Sequence, residues 1–313
     1  MNSKKVNWLF LCLILIDIAW LAFVVIFIIA LQKPFNLPIA ANFILNQMFI
    51  VVPTMLFLLA SKRKTESGNL NEMLGFHKIK VSSFFMIILF TFLIMPMSIA
   101  LNAISMLFVE NTVNAISGDI LQMPFLLMLF LIGIFGPFCE ELVFRGAIFH
   151  GYQRSGAVIG AIIWSAVLFG LMHLNFNQAA YAVALGFMFG LLVEATGSLW
   201  SSVIAHMVFN SQQVCTMYLS EYFMPGTYES SDNMLTQDLL LGAIGPYLII
   251  AVIATSIAFC VLFWLAKNEN REVNWRYLWK RDKEAKSAFV SAPLIVAIII
   301  SLAYMVFSWA ASR

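Results

Sequence analysis

Three groups of polar side chains interrupt otherwise apolar stretches, and the first contains the acidic pair Glu140 and Glu141, with Arg145 one helical turn later. The four-residue spacing predicts that Glu141 and Arg145 form an ion pair that is tolerated away from water. Glu140 points about 100° away from its neighbour and has no such partner on its own helix. A buried carboxylate without a local counterion suits the role of a general base.

A histidine in the next apolar run is placed to work with this carboxylate. If the two runs form an antiparallel hairpin that turns near Arg154, Glu140 lies level with about Phe169. His173 then lies one turn beyond, about 6 Å along the axis. A carboxylate and an imidazole at this separation can bind and deprotonate a water molecule, which is the chemistry of a hydrolase.

A second histidine lies two runs further along the chain. His206 and Asn210 share a helix face by their four-residue spacing and offer two hydrogen-bond donors to a developing oxyanion. One geometric difficulty follows, because His206 is only about 12 Å into its helix from Ser198, whereas Glu140 is about 20 Å from Arg154. Either the connection before His206 is recessed in a protein-lined cavity or the helices are strongly tilted.

The composition identifies the solvent around these groups. Of the 313 residues 62% are hydrophobic and 11% are charged, with a mean hydropathy of +0.90. We therefore expect an all-α, polytopic membrane protein with eight or nine transmembrane helices around an intramembrane cavity. The nine apolar runs are 8–31, 39–60, 84–108, 124–152, 157–173, 178–195, 199–219, 239–266 and 288–310, of which the fifth and sixth are short.

The charges indicate the orientation rather than a polyanionic partner. The 18 basic and 16 acidic side chains nearly balance, so no nucleic-acid partner is expected. With nine spans, the bases fall mostly on one side, which predicts a cytoplasmic N terminus and an external C terminus. The sorted bases are Lys4, Lys5, Lys62, Arg63, Lys64, Lys78, Lys80, Arg154 and those of segment 267–286, and the sorted acids are Glu110, Asp119, Glu221, Glu229, Asp232 and Asp238, with Lys33 as an exception.

These patterns divide the chain into three parts. We expect N-terminal transmembrane helices in 1–123, a catalytic core in 124–219, and C-terminal helices in 220–313. The basic and aromatic loop 267–287 has a composition suited to lipid headgroups. Asp17 and Glu194 also lie in apolar runs but outside the three polar groups, and we assign each to helix packing or to the membrane interface.

The three polar groups, in this order and in successive helices, resemble the motifs of the CAAX-protease and bacteriocin-processing family, also called the Abi family. The matching segments are EELVFRG beginning at Glu140, FGLMH ending at His173, and HMVFN beginning at His206. The resemblance covers about residues 124–215, and the flanking helices share only hydrophobicity. Three ordered motifs that contain all the deeply placed Glu and His candidates are far more specific than a single acidic pair.

The resemblance implies an intramembrane, glutamate-dependent endopeptidase. In such a protein Glu140 and His173 activate water, while His206 and Asn210 stabilise the oxyanion. Glu141, Arg145 and Phe169 are then supporting residues. The implied substrate is a membrane-associated peptide or protein, such as a prenylated C terminus or a bacteriocin or pheromone precursor, and the implied location is a bacterial plasma membrane.

Other functions remain compatible with the residues. A proton-coupled transporter or channel would use the same buried Glu and His side chains as a relay, and a non-catalytic immunity or assembly factor would keep the fold without cutting peptides. No phosphate-binding loop or dinucleotide fingerprint is present, so no cofactor is expected. Zinc is the lesser alternative, in which Glu140, His173 and His206 are ligands, although His173 and His206 lack the paired spacing of zinc peptidases.

Overall fold

The computed structural model describes residues 3–35, 37–62, 69–154, 158–226, 237–278 and 289–311, and every regular element in these ranges is a helix. We number twelve helices, treating the interrupted helix before Arg154 as one. They are α1 (Ser3–Leu31), α2 (Ile39–Lys62), α3 (Leu70–Leu74), α4 (Val81–Ser105), α5 (Thr112–Leu121), α6 (Phe125–Gln153), α7 (Val158–Met172), α8 (Phe176–Thr196), α9 (Leu199–Phe223), α10 (Gln237–Asn268), α11 (Glu272–Tyr277) and α12 (Ala292–Ala311).

Within the described ranges, seven helices are long and apolar enough to cross a bilayer, namely α1, α2, α4, α6, α8, α10 and α12. The chain is therefore an all-α, multi-pass membrane protein, as its composition predicts. Each of the nine apolar runs corresponds to a helix, but α7 has only 15 residues and the more polar α9 is not among the seven. The number of eight or nine spans and the orientation stay predictions. Arg63, Lys64, Glu229, Asp232 and Trp279, which entered the charge sorting or the loop assignment, lie outside the described residues.

Helix α6 is not a regular α-helix. Two π-helical stretches, Leu129–Phe135 and Leu142–Phe149, flank a short α-helical segment, Gly136–Glu141, which carries the acidic pair. A π-helical turn adds a residue and rotates the side chains that follow it, and such turns are frequent at functional sites. The acidic pair thus lies in a short α-helical segment between two π-helical stretches. Each stretch changes the direction of the side chains relative to a regular α-helix.

Pro137 has no amide hydrogen, so one backbone donor to the carbonyl oxygens of the first π-helical stretch is missing. Side chains of helix α9 donate to two carbonyl oxygens there. Asn210 Nδ2 donates to the carbonyl oxygen of Ile132 at 3.2 Å, and Ser211 Oγ donates to that of Gly133 at 3.3 Å. Helices α6 and α9 are therefore joined by side-chain to backbone hydrogen bonds beside the acidic pair.

Helices α7 and α8 pack closely because glycines line their contact. A Cβ atom at Gly186 would lie 3.0 Å from both the Cα atom of Ala166 and Nη2 of Arg145. Gly190 meets Ile162 in the same way one turn later. Gly186 thus leaves the space into which the buried guanidinium of Arg145 projects.

The connection between α8 and α9 is recessed, as one explanation of the His206 depth requires. Gly197 turns the chain with φ +69°, and the buried Ser198 caps α9 while its hydroxyl donates to the carbonyl oxygen of His77. Arg271 covers the turn and forms an ion pair of 2.8 Å with Glu194. Because α9 begins beneath these segments, a side chain only two turns into it reaches the depth of the acidic pair. Glu194, which the sequence assigns to helix packing or to the membrane interface, joins the end of α8 to Arg271 in the segment after α10.

Candidate active site

A cavity of about 360 Å³ brings together side chains from both ends and the centre of the chain. Glu140, Phe169 and His173 form its wall on the side of α6 and α7. The rest of the wall is built largely from α1, α2 and α12 and includes Asp17 and Gln47. The hairpin of α6 and α7 thus places Glu140 and His173 in one cavity, as the residue count predicts.

Glu140 has partners from two other helices. Gln47 Nε2 in α2 donates to its Oε1 at 3.2 Å, and His206 Nε2 in α9 lies 3.8 Å from its Oε2. The expectation that Glu140 lacks a local partner holds only within its own helix, since its hydrogen-bond donor lies 93 residues earlier in sequence. The side chain retains 20% of its exposure and faces the cavity. It is both anchored and accessible.

Glu141 faces away from the cavity and is fully buried. Its Oε1 accepts from Arg145 Nη1 at 2.8 Å, which is the ion pair that the spacing predicts, and from His206 Nδ1 at 2.9 Å. Because a carboxylate oxygen can only accept, Nδ1 of His206 carries the hydrogen and Nε2 is directed towards Glu140. Glu141 therefore fixes two side chains that lie behind the cavity wall.

Phe169 contacts the charged groups with its ring. The guanidinium of Arg145 lies 4.5 Å from the centre of this ring, a cation–π contact. The ring centre lies 5.0 Å from that of His173 and 5.8 Å from that of His206. Phe169 thus packs against both imidazoles.

His173 lies just after the C terminus of α7, and its backbone fixes the orientation of its ring. Nδ1 donates to the carbonyl oxygen of Phe169 at 2.9 Å, so in the neutral ring Nε2 is an acceptor. Leu174 has φ +53°, and Asn175 Nδ2 donates to the carbonyl oxygen of His173 at 2.9 Å. The left-handed residue and the asparagine hold the turn that presents the histidine to the cavity.

The structure brings only some of the seven predicted site residues into the cavity wall. Three of the seven line the cavity, and Glu141, Arg145 and His206 lie directly behind it. Asn210 is not in the cavity wall, and one of its amide hydrogens is used by the carbonyl of Ile132. His206 and Asn210 lie one turn apart on α9 and each side chain already has a bond to protein, so their role as adjacent oxyanion donors stays a prediction.

Two cavity residues were not assigned to the site from the sequence. Asp17, which the sequence assigns to helix packing or to the membrane interface, lines the cavity and has no hydrogen bond or ion pair among the described residues. Gln47 had no assignment. A polar pair, Asn46 and Gln47, inside the second apolar run was the available signal, but its direction could not be read from the sequence.

No three His, Cys, Asp or Glu side chains in the described part of the chain are grouped closely enough to hold a metal ion. The zinc alternative requires Glu140, His173 and His206 to converge as ligands. One nitrogen of each imidazole donates to protein, at Phe169 and Glu141, so Nε2 is the nitrogen of each ring that is left for a ligand or substrate.

Comparison with known proteins agrees with the motifs. Residues 122–212 match the model of the Rce1-like type II CAAX prenyl endopeptidase family. The "Putative membrane peptidase YdiL" of Bacillus subtilis (strain 168) is 34% identical over 103 residues, which are 33% of this chain and 41% of the relative. The chain thus matches less than half the length of this relative, and no solved structure matches it significantly. The resemblance of the three motifs to the CAAX-protease and bacteriocin-processing family is therefore confirmed, and it extends from α6 into α9.

Proposed function

We propose that the chain is an intramembrane endopeptidase that hydrolyses a peptide bond of a membrane-associated peptide or protein. The observation that carries the proposal is the joint placement of Glu140 and His173 in one cavity between helices long enough to span a bilayer. The similarity of residues 122–212 to the Rce1-like family supports the same activity.

Water activation follows from the two cavity side chains. Gln47 occupies one oxygen of Glu140, which leaves the other to accept a proton from water. Nε2 of His173 accepts the second hydrogen of the same water and orients its lone pair. The oxygen attacks the peptide carbonyl carbon, and the proton held by Glu140 passes to the leaving amine as the carbon–nitrogen bond breaks.

The oxyanion of the tetrahedral intermediate requires donors from the opposite side. His206 donates with Nδ1 to Glu141, so Nε2 is the nitrogen that faces the cavity side, and it donates to the oxyanion when it also carries a hydrogen. Asn210 uses one amide hydrogen for the Ile132 carbonyl and has a second one left. We assign the stabilisation of the oxyanion to these two donors. Glu141, itself paired with Arg145, holds the histidine in place.

The substrate class rests on the comparisons. The family is described as Rce1-like type II CAAX prenyl endopeptidases, and the Bacillus subtilis relative is named "Putative membrane peptidase YdiL". We propose a membrane-bound peptide of this kind, a prenylated C terminus or a bacteriocin or pheromone precursor, as substrate. A bacterial plasma membrane with a cytoplasmic N terminus is the proposed location.

The test is Glu140→Gln, which removes the base and preserves the shape of the side chain. We expect peptide cleavage by the purified protein in nanodiscs to fall at least about 100-fold, the usual contribution of a general base. The membrane peptidome of cells with this variant should accumulate uncut precursors. Glu72→Gln, a substitution of an exposed carboxylate in α3, is the control and should cleave normally.

Folding must be shown to be intact for this comparison. The thermal unfolding midpoint of Glu140→Gln should stay close to that of the parent protein, because an amide can still bond to Gln47. Near-normal turnover in a folded Glu140→Gln variant would reject the role of this carboxylate.

A further inference from the structure

Asp17 lies near the middle of α1, far from either end of an apolar helix. It is partly buried and lines the same cavity as Glu140 and His173. Helix α1 is outside the segment that resembles the peptidase family. The role of this carboxylate must therefore be argued from the cavity itself.

The Asp17 side chain has no hydrogen-bond or ion-pair partner within the described ranges. Two other carboxylates in the spanning helices are paired, Glu141 with Arg145 and Glu194 with Arg271. An unpaired carboxylate at membrane depth is costly, and such residues usually face a cavity and bind a ligand. The missing partner of Asp17 is accordingly expected to enter the cavity from outside the chain.

The charge of the cavity defines that partner. Among the described residues, two carboxylates line the cavity, at positions 17 and 140, and no lysine or arginine does. Arg145 is fully buried behind the wall and is neutralised by Glu141. The cavity is thus electrostatically complementary to a cation.

The aromatic residues beside Asp17 favour the same ligand. Trp20 lies on the next turn of α1, and Tyr304 of α12 lines the same cavity. Aromatic rings attract ammonium and guanidinium groups, and the attraction is strongest where water is excluded. A carboxylate with aromatic neighbours can therefore bind a lysine or arginine side chain through both its charge and its rings.

We infer that Asp17 determines specificity by binding a lysine or arginine side chain of the substrate close to the bond that is cleaved. The inference rests on the proposed endopeptidase function, because it places this basic residue in the cavity of Glu140 and His173. Recognition of a basic substrate residue is then a function of α1, which carries none of the three motifs. Substrates with a basic residue at that position are bound through charge, and their uncharged analogues are bound less tightly.

Cleavage is measured with two myristoylated, internally quenched octapeptides of alanine and leucine that differ at one position, lysine or norleucine, scanned along the peptide. Norleucine keeps the aliphatic stem and lacks the charge. With Asp17→Asn, we expect kcat/KM for the best lysine peptide to fall roughly 10-fold or more, as for the loss of a charge-assisted hydrogen bond. The value for the norleucine peptide should change less than about 2-fold.

Ser308→Ala, which removes an uncharged polar group from the same cavity, is the matched control. It should change the kcat/KM of both peptides by the same factor. Equal effects of Asp17→Asn on the two peptides, or no effect on either, would overturn the inference.

Binding separates this inference from the proposed hydrolysis. The Kd of each peptide is measured in nanodiscs for Glu140→Gln and for the double variant Asp17→Asn with Glu140→Gln. Tighter binding of the lysine peptide that disappears in the double variant supports the role of Asp17, even if the parent protein cleaves neither peptide and hydrolysis is rejected. Equal affinities of Glu140→Gln for both peptides would overturn the role of Asp17, whatever the cleavage results.

Discussion

Glu140 and Glu141 are adjacent and chemically identical, yet their surroundings give them different capacities. The first keeps 20% of its side-chain exposure and has an amide donor, whereas the second is fully buried between a guanidinium and an imidazole. Two carboxylates in unlike environments take unlike roles. We therefore expect isosteric substitutions at the two positions to affect different properties.

Glu141→Gln should destabilise the fold in addition to lowering activity. It leaves the guanidinium of Arg145 without a counterion in a buried setting, a loss that typically costs about 3–5 kcal/mol. Thermal and denaturant unfolding in nanodiscs would measure it.

The matched control is Glu272→Gln, which breaks an exposed pair with Arg276 at the same four-residue spacing. It should cost less than about 1 kcal/mol. Equal stability of the two variants would show that the buried pair does not stabilise the fold.

Catalysis should survive exhaustive chelation. The described side chains offer no group of three His, Cys, Asp or Glu residues close enough to hold a metal ion. Activity of the purified protein before and after chelation, with elemental analysis, is the measurement. Stoichiometric zinc, with activity that is lost on its removal and restored by its return, would reassign Glu140, His173 and His206 as ligands.

At this scale the sequence predicted contacts within a helix better than contacts between helices. The pair of Glu141 and Arg145 follows from spacing alone. The bond from Gln47 to Glu140 joins residues 93 positions apart, and no helical periodicity encodes such a contact. Asp17 was recognised as an ionisable residue in an apolar run but was assigned to helix packing or to the membrane interface. Its place in the cavity depends on contacts between helices, which spacing within one helix does not encode.

Among the elements, α6 determines most of the site geometry. Its π-helical stretches set the direction of the acidic pair, and two carbonyl oxygens before Pro137 accept hydrogen bonds from α9. The sequence predicted the helix but not its π-helical turns. A helix that is apolar on nearly every side has no hydrophobic stripe from which a change of phase could be read.

Gly186→Ala should impair both stability and cleavage. The added methyl group would lie 3.0 Å from the backbone of Ala166 and from the guanidinium of Arg145, so α7 and α8 must separate or Arg145 must move. Overpacking of this kind typically costs about 1–3 kcal/mol. Thermal unfolding and kcat/KM are the measurements.

Gly118→Ala provides the matched control, because Gly118 is also inside a helix but has no atom within 4 Å of the added Cβ. Its stability should be unchanged or slightly higher, since alanine favours helix. If Gly186→Ala behaved like Gly118→Ala, the close packing of α7 on α8 would not be required.

At the scale of the whole molecule, the cavity is built by helices from both ends and the centre of the chain. Helices α1, α2 and α12 contribute to its wall together with Glu140 and His173, although the family match is confined to residues 122–212. The sequence predicted the helices and the all-α class because long apolar runs are unambiguous. It could not predict which of them meet, because uniformly apolar surfaces pack against lipid and protein alike.

The predicted topology can be tested with single introduced cysteines at Lys64 and Ser231, two positions outside the described residues. The four native cysteines are first replaced, since Cys12 and Cys260 are exposed. An impermeant maleimide should label position 231 in intact cells and position 64 only after permeabilisation, because the bases are expected on the cytoplasmic side. Labelling of both positions from one side would refute the nine-span arrangement.

The ion pair between Arg271 and Glu194 forms only late in the synthesis of the chain. Glu194 and the recessed turn after it belong to the core, but the side chain that covers them is made only after α10. At ~5–20 residues per second, the ribosome needs several seconds to reach Arg271 after Glu194. During that interval the core helices can already be inserted while Glu194 awaits its counterion. The ion pair that covers the turn after α8 therefore forms late in synthesis. A nascent chain that is interrupted before Arg271 leaves Glu194 without its arginine counterion.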